Sequence, residues 1–269
     1  MPMGKNGITP TEKLPKCIKF WVRNGHVLNA VKLSGPGLRS LLGRNAWQAR
    51  TEPFMISFMA VAATPDERLE ELREFCRILQ PALKRFNAPV VVQLNFACPS
   101  AGDKMLERLK ELPDMLDVVL SFGMQVVLNL NALAPVRAMH IAQRHSACIA
   151  LWIANSIPWG EAPDVINWEK FNAPGQLPGN LVSPLRTRGF KEEGGLSGPD
   201  CLVLTERAIK DARAHGITML IIAGNGVQRK RDVDLLVDAG ADGIAIGVVA
   251  MLRFWRMLGI IKRIHQRLD

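Results

Sequence analysis

The chain has 269 residues, 48% hydrophobic and 22% charged, with 22 Gly and 17 Pro, which supplies a sizeable core and excludes disordered, collagenous and coiled-coil classes. Lys and Arg outnumber Asp and Glu by 34 to 25, a net charge of +9; no apolar run reaches the roughly 18 residues of a membrane span, and residues 1–16 lack the apolar centre of a signal peptide. A soluble, cytoplasmic, one-domain globular protein is expected, and its five cysteines (Cys17, Cys76, Cys98, Cys148 and Cys201), having no CxxC or Cys/His spacing, are expected reduced and without a metal.

The chain opens with its most basic stretch. Residues 1–50 carry Lys5, Lys13, Lys16, Lys19, Arg23, Lys32, Arg39, Arg44 and Arg50 against the single acid Glu12. Clustered cations raise the local anion concentration, which suits RNA, an acidic partner or an anionic small molecule. A solvated basic face is the plain alternative, and no aromatic-interleaved motif favours RNA. The segment up to Arg50 reads as a loop. Beyond it, near-continuously apolar runs at 54–61, 89–95, 125–130, 148–154, 217–223 and 243–247 predict strands buried on both faces of a parallel sheet. Amphipathic stretches at 65–80, capped by Thr64, and at 103–112, 135–145, 200–215, 231–239 and 249–267 predict the helices, with a second long loop at 155–199. Repeated βα in this order predicts a doubly wound sheet or a (β/α)8 barrel; in both, ligand chemistry gathers at the C-terminal ends of the strands.

The residues just past each strand are therefore informative. Asn95-Phe96-Ala97-Cys98-Pro99-Ser100 puts a thiol at a strand end beside a rigid proline, suited to act as base or nucleophile if its pKa is lowered; a small buried cysteine reads the same way. Asn155-Ser156 offers a polar pair to a planar amide ligand, or makes a turn. Gly194-Gly195-Leu196-Ser197-Gly198-Pro199 precedes a helix, while Gly224-Asn225-Gly226 and Gly247-Val248 come after the last two strands. Glycines there let backbone N–H groups approach a phosphate, as after strands 7 and 8 of TIM barrels. Each pair alone also suits a tight turn.

Taken in this order, the motifs resemble those of the dihydroorotate dehydrogenase family of FMN-dependent TIM barrels, over residues 5–260. Residues 95–100 resemble its N-x-S-C-P-N, residues 194–199 read as its G-G-L-S-G-P, and residues 241–249 are similar to its closing strand and phosphate turn. Ile8-Thr9-Pro10 resembles the end of its second strand, and residues 28–33 its substrate loop. Cysteine at 98 resembles the cytosolic class.

The resemblance implies one FMN-binding α/β domain over residues 1–269, a (β/α)8 TIM barrel incomplete at its N-terminus. With residues 5–9 as the family's second strand, seven strands stand where closure needs eight. It implies oxidation of dihydroorotate to orotate in pyrimidine biosynthesis, Cys98 taking the C5 proton while a hydride passes from C6 to flavin N5. By position, Asn29, Asn95, Ser100, Asn155 and Ser156 would hold the substrate. Gly7, Asn95, Asn129, Ala154, Gly198, Asn225, Gly226, Gly247 and Val248 would hold FMN. A homodimer or an electron-transfer partner subunit goes with this reading; DNA and a membrane span do not. The acceptor stays open among fumarate, NAD through a partner, and a quinone.

The chain departs from the family at Asn129 (lysine there), Ser100 (asparagine), Lys32 (glycine) and Ala223 (glycine). An amide at 129 brings no positive charge to a reduced flavin, so reduction is expected to be harder. Two alternatives stand beside this reading. One is a truncated or non-catalytic relative; the other is a further ene-reducing flavin barrel such as a tRNA dihydrouridine synthase, which the net charge favours and the GGLSGP run opposes.

Overall fold

The structure, a computed structural model, describes residues 16–31, 33, 35–96 and 107–269. In chain order its elements are β1 (Ile18–Trp21), β2 (His26–Asn29), α1 (Leu38–Gly43), β3 (Phe54–Phe58), α2 (Pro65–Leu83), β4 (Val90–Asn95), α3 (Leu112–Ser121) and β5 (Val126–Asn131). After these come α4 (Val136–Gln143), β6 (Cys148–Asn155), β7 (Ile157–Pro158), β8 (Gly195–Ser197), α5 (Pro199–Ala214), β9 (Leu220–Ala223), α6 (Lys230–Asp238), β10 (Gly243–Ile244), α7 (Val248–Leu252) and α8 (Met257–Leu268).

Six strands form the parallel sheet expected from the apolar runs, in the order β10-β9-β6-β5-β4-β3. Each neighbour follows through a helix, the succession of a (β/α) barrel, and among the described residues the sheet stays open between β10 and β3. The strand expected at 5–9 lies outside the described residues. All six residues of β5 are buried, because β4 and β6 flank it and helices cover its outer face. One continuous core joins Phe58, Leu94, Leu128, Leu130 and Ile153 of the sheet to Leu72, Phe75, Leu116 and Met139 of the helices. Helix α2 starts where its sequence says: the Thr64 side chain accepts from Glu67 N, and the Glu67 side chain accepts from Thr64 N, the reciprocal capping box.

Five expectations are corrected. The segment before Arg50, read as a loop, carries a hairpin: β1 pairs antiparallel with β2, and β2 with β8. The 155–199 loop supplies β7 and β8, completing a four-stranded sheet β1-β2-β8-β7. These strands have two to four residues, too few for a period to show, and Leu28 finds its partner at Leu196, far along the chain. In place of one helix at 103–112, residues 107–109 are helical and α3 begins afresh at Leu112, with Pro113 in its first turn, where a missing N–H costs nothing. Helix α2 continues past Gln80 and contains Pro81. The terminal 249–267 helix breaks at Arg253, whose backbone (φ −147°, ψ 48°) leaves the helical region. Its guanidinium donates to the Val22 and Arg23 carbonyls and to Gln228 Oε1, a tertiary tie that a local reading does not contain. No described helix is long and apolar enough to cross a membrane, and among the described residues no group of three His, Cys, Asp or Glu could hold a metal.

Candidate functional site at the C-terminal ends of the strands

Strands β4 and β6 end on asparagines, and β5 carries two near its end: Asn95, Asn155, Asn129 and Asn131. Parallel register sets Asn129 beside Asn95, so amides from three adjacent strands meet. Asn129 Nδ2 donates to Asn155 Oδ1 (3.1 Å), and Asn155 Nδ2 donates to Asn95 Oδ1 (3.0 Å). The line extends to the turn after β9: Asn225 Nδ2 donates to the Asn155 carbonyl (2.9 Å), and Gly198 N donates to Asn225 Oδ1 (3.3 Å). Asn225 holds a left-handed φ of 64° to make this reach, a conformation asparagine tolerates. Asn131 turns inward on the chain instead, accepting from Leu133 N.

The chain of amides ends on one unsatisfied atom. Asn129 is 4% exposed and its Oδ1 is buried without a hydrogen-bond partner among the described residues. Among the described residues the side-chain partners of Asn129, Asn155 and Asn225 are amides, backbone and the Cys201 thiol, all uncharged. The cluster therefore offers hydrogen-bond donors and acceptors in planar groups, without net charge, which is the chemistry that recognises an amide- or imide-bearing ring.

The GGLSGP run is built by close approach. Gly198 has φ 151°, and a Cβ there would run into the His26 ring and come 2.9 Å from the Gly25 carbonyl. A Cβ on Gly195 would strike the Ser156 side chain, and one on Gly194 would come 2.8 Å from the Asn29 carbonyl. Asn29 Nδ2 donates to the Gly195 carbonyl (3.4 Å). Asn29 and Ser156 thus border the run. The two phosphate-turn glycines differ: a Cβ on Gly226 (φ 113°) would come 2.7 Å from the Gly198 carbonyl and 2.8 Å from Leu202 N, whereas one on Gly247 meets nothing within 4 Å. The space above Gly226 is filled by the protein, and among the described residues the space at Gly247 is free. Ala154 packs under Gly224, and Val248, though it opens α7, puts its side chain in a small core with Val27 and Leu252.

Sequence reasoning brought Asn95, Asn129, Asn155, Asn225 and Gly198 to one network; Cys98, Ser100 and Gly7 lie outside the described residues. It missed His26 and Asp200. His26 is 5% exposed, packs tilted at 4.9 Å against Phe171, and sets Nε2 3.5 Å from Asp200 Oδ2, with Nδ1 buried and without a partner among the described residues. The His26 ring holds the Asp200 carboxyl below the usual carboxylate range. Only the pairing of β2 with β8 brings the two together, so no local signal could have found them. Burial pushes the thiols of Cys76 and Cys201 up to about 12 and that of Cys148 up to about 11, well above the range of a working base or nucleophile.

The strand order β10-β9-β6-β5-β4-β3 runs without the reversal of a doubly wound sheet, which, with the polar cluster at the strand C-termini, places the chain in the TIM-barrel class of α/β proteins. The chain is related to the dihydroorotate dehydrogenase family. The catalytic subunit of dihydroorotate dehydrogenase B (NAD(+)) from Thermotoga maritima is 22% identical over 240 residues, 82% of this chain and 72% of that protein. The subunit of the same name from Exiguobacterium sibiricum is 25% identical over 249 residues, 90% and 72% of the two chains. Among solved structures, ligand-free dihydroorotate dehydrogenase (DHODH) from Eimeria tenella superimposes with a TM-score of 0.63 at 16% identity, covering 97% of this chain and 75% of that one. Its complex with ferulenol gives 0.58 at 15% identity, covering 93% and 68%. No protein-family model matches.

Proposed function

We propose that the protein is an FMN-dependent oxidoreductase of the dihydroorotate dehydrogenase type, one domain over residues 1–269, oxidising dihydroorotate or a similar pyrimidine in the cytoplasm. The observation that carries this reading is the line of amides from Asn95 through Asn155 to Asn129, tied through Asn225 to the GGLSGP run. The residues fit FMN in kind: Asn129 Oδ1 lacks a donor, as a flavin imide N–H would supply, and Gly247 leaves open the space a phosphate needs. Bound FMN would supply the hydride acceptor.

In this reading Asn95, Asn129, Ala154, Gly198, Asn225, Gly247 and Val248 hold the cofactor, and Gly226 shapes the turn beneath it. Asn29, Asn95, Asn155, Ser156 and Ser100 hold the substrate, their amides pairing with the ring's N–H and C=O groups. Cys98 takes the proton. Burial pushes up the thiols of Cys76, Cys148 and Cys201, which sets those three apart from a working base. A partner subunit carrying electrons onward, as the name of the bacterial relatives suggests, completes the proposal.

The open sheet and the uncharged residue at 129 favour one competing reading, a non-catalytic relative. Flavin titration of the purified protein, followed by anaerobic addition of dihydroorotate, separates the two. The proposal expects stoichiometric FMN and bleaching of its absorbance by dihydroorotate; a protein that binds no flavin overturns it. Cys98→Ala should keep flavin and slow bleaching by about 10²–10⁴. Asn129→Lys should raise the flavin midpoint potential, because an ammonium stabilises the anionic reduced ring; an unchanged potential with flavin bound would remove Asn129 from the ring's contacts.

A further inference from the structure

The basic N-terminal segment is not absorbed by the proposed reaction, yet the structure gives one of its arginines a setting. Arg39 of α1, Arg77 of α2 and Arg85, in the turn that follows α2, line a cavity of about 600 Å³ together with the apolar Leu42 and Ile78. That volume lies in the range of small-molecule sites. Helix α2 returns from the C-terminal end of β3 to the N-terminal end of β4, so its second half, and this cavity, lie at the opposite end of the sheet from the amide cluster. The site is therefore independent of the oxidoreductase reading.

The charges are arranged rather than scattered. Glu74 accepts from Arg39 Nη2 (2.7 Å) and Arg77 Nη1 (2.7 Å), which fixes two guanidiniums while leaving N–H groups on each; Arg77 also lies 3.5 Å from Glu70. The Arg85 side chain has no hydrogen-bond or ion-pair partner among the described residues. With Glu74 on Arg39 and Arg77 and Glu70 on Arg77, the uncompensated positive charge is that of Arg85, and the planar forks of the three guanidiniums match the oxygens of a phosphate. Inorganic phosphate alone would leave most of the cavity, and its apolar lining, unused.

From this arrangement we propose that the cavity binds a small phosphate monoester, its dianion on Arg39, Arg77 and Arg85 and its organic part over Leu42 and Ile78. Phenyl phosphate is the probe, titrated calorimetrically into the full chain, with inorganic phosphate as comparator and a single-stranded RNA oligonucleotide as competitor. Phenyl phosphate should bind at one site, more tightly than inorganic phosphate and less tightly as salt rises. Arg85→Ala should weaken it by about tenfold or more, and Arg85→Lys by less, since lysine keeps charge but not the fork. Arg85 is exposed, so its variants should fold, which circular dichroism checks. Affinity unchanged from the unmodified protein in both Arg85→Ala and the Arg39→Ala/Arg77→Ala double variant overturns the proposal, as does no binding of phenyl phosphate. So do equal binding of phenyl and inorganic phosphate, or RNA binding lost in the same variants without any binding of phenyl phosphate.

Discussion

Strands β5 and β10 are both parallel strands with a proposed flavin contact near the C-terminal end, Asn129 and Gly247, yet they are opposites in packing. The six residues of β5 are all buried and paired on both sides, and its Asn129 is locked to Asn155. The two residues of β10 are half-buried and, among the described residues, pair with β9 alone, and beyond them Gly247 faces free space. The centre of the sheet thus fixes side chains by packing, and the flank keeps the room a ligand needs. The same division recurs in functional sites generally, where rigid elements hold groups and less stable ones admit the ligand.

The sharpest way to break this comparison is to truncate equivalent apolar residues. Leu128→Ala in β5 should destabilise the protein by about 3–5 kcal/mol, since a fully buried leucine leaves a cavity, while Ile244→Ala in β10 should cost about 1 kcal/mol. Urea unfolding measures both, and equal losses would show that the flank is as tightly packed as the centre.

Next in size come the polar and glycine positions. Asn155→Ala removes the middle amide and leaves Asn129 Nδ2 and Asn95 Oδ1 without that partner, an expected loss of about 2–3 kcal/mol. Gly226→Ala, with positive φ and its Cβ space taken by Gly198 and Leu202, should lose about 2–3 kcal/mol. Gly247→Ala should stay below about 1 kcal/mol, and Gly247→Leu should lose FMN while keeping its circular dichroism spectrum. A Gly247→Leu protein that still holds stoichiometric flavin would move the phosphate elsewhere.

The smallest effect concerns pH. The Asp200 carboxyl sits below its usual range because of the His26 ring. A lowered carboxyl pKa contributes stability that is complete above about pH 4 and fades as pH falls through the lowered value. Asp200→Asn should therefore flatten the acid limb of the stability curve by less than about 1 kcal/mol, Asp200 being partly exposed. Parallel acid limbs in the two proteins would show that His26 does not hold the carboxylate.

Sequence by itself determined the parallel sheet, because strands buried on both faces must be apolar throughout, and the runs around Val92, Leu128 and Leu151 are. It determined the start of α2, because a capping box is written in four consecutive residues, and it marked Asn95, Asn155, Asn225 and Gly198 as strand-end groups. Only the tertiary structure decided the β1-β2-β8-β7 sheet, the break at Arg253, the His26–Asp200 contact and the cavity between α1 and α2. Each of these joins residues distant in the chain, and pairing energy between distant segments leaves no trace in local periodicity or composition. The two phosphate-turn glycines show the boundary most plainly. Gly226 and Gly247 look alike as letters, and only the structure shows Leu202 and the Gly198 carbonyl closing over one and, among the described residues, open space at the other.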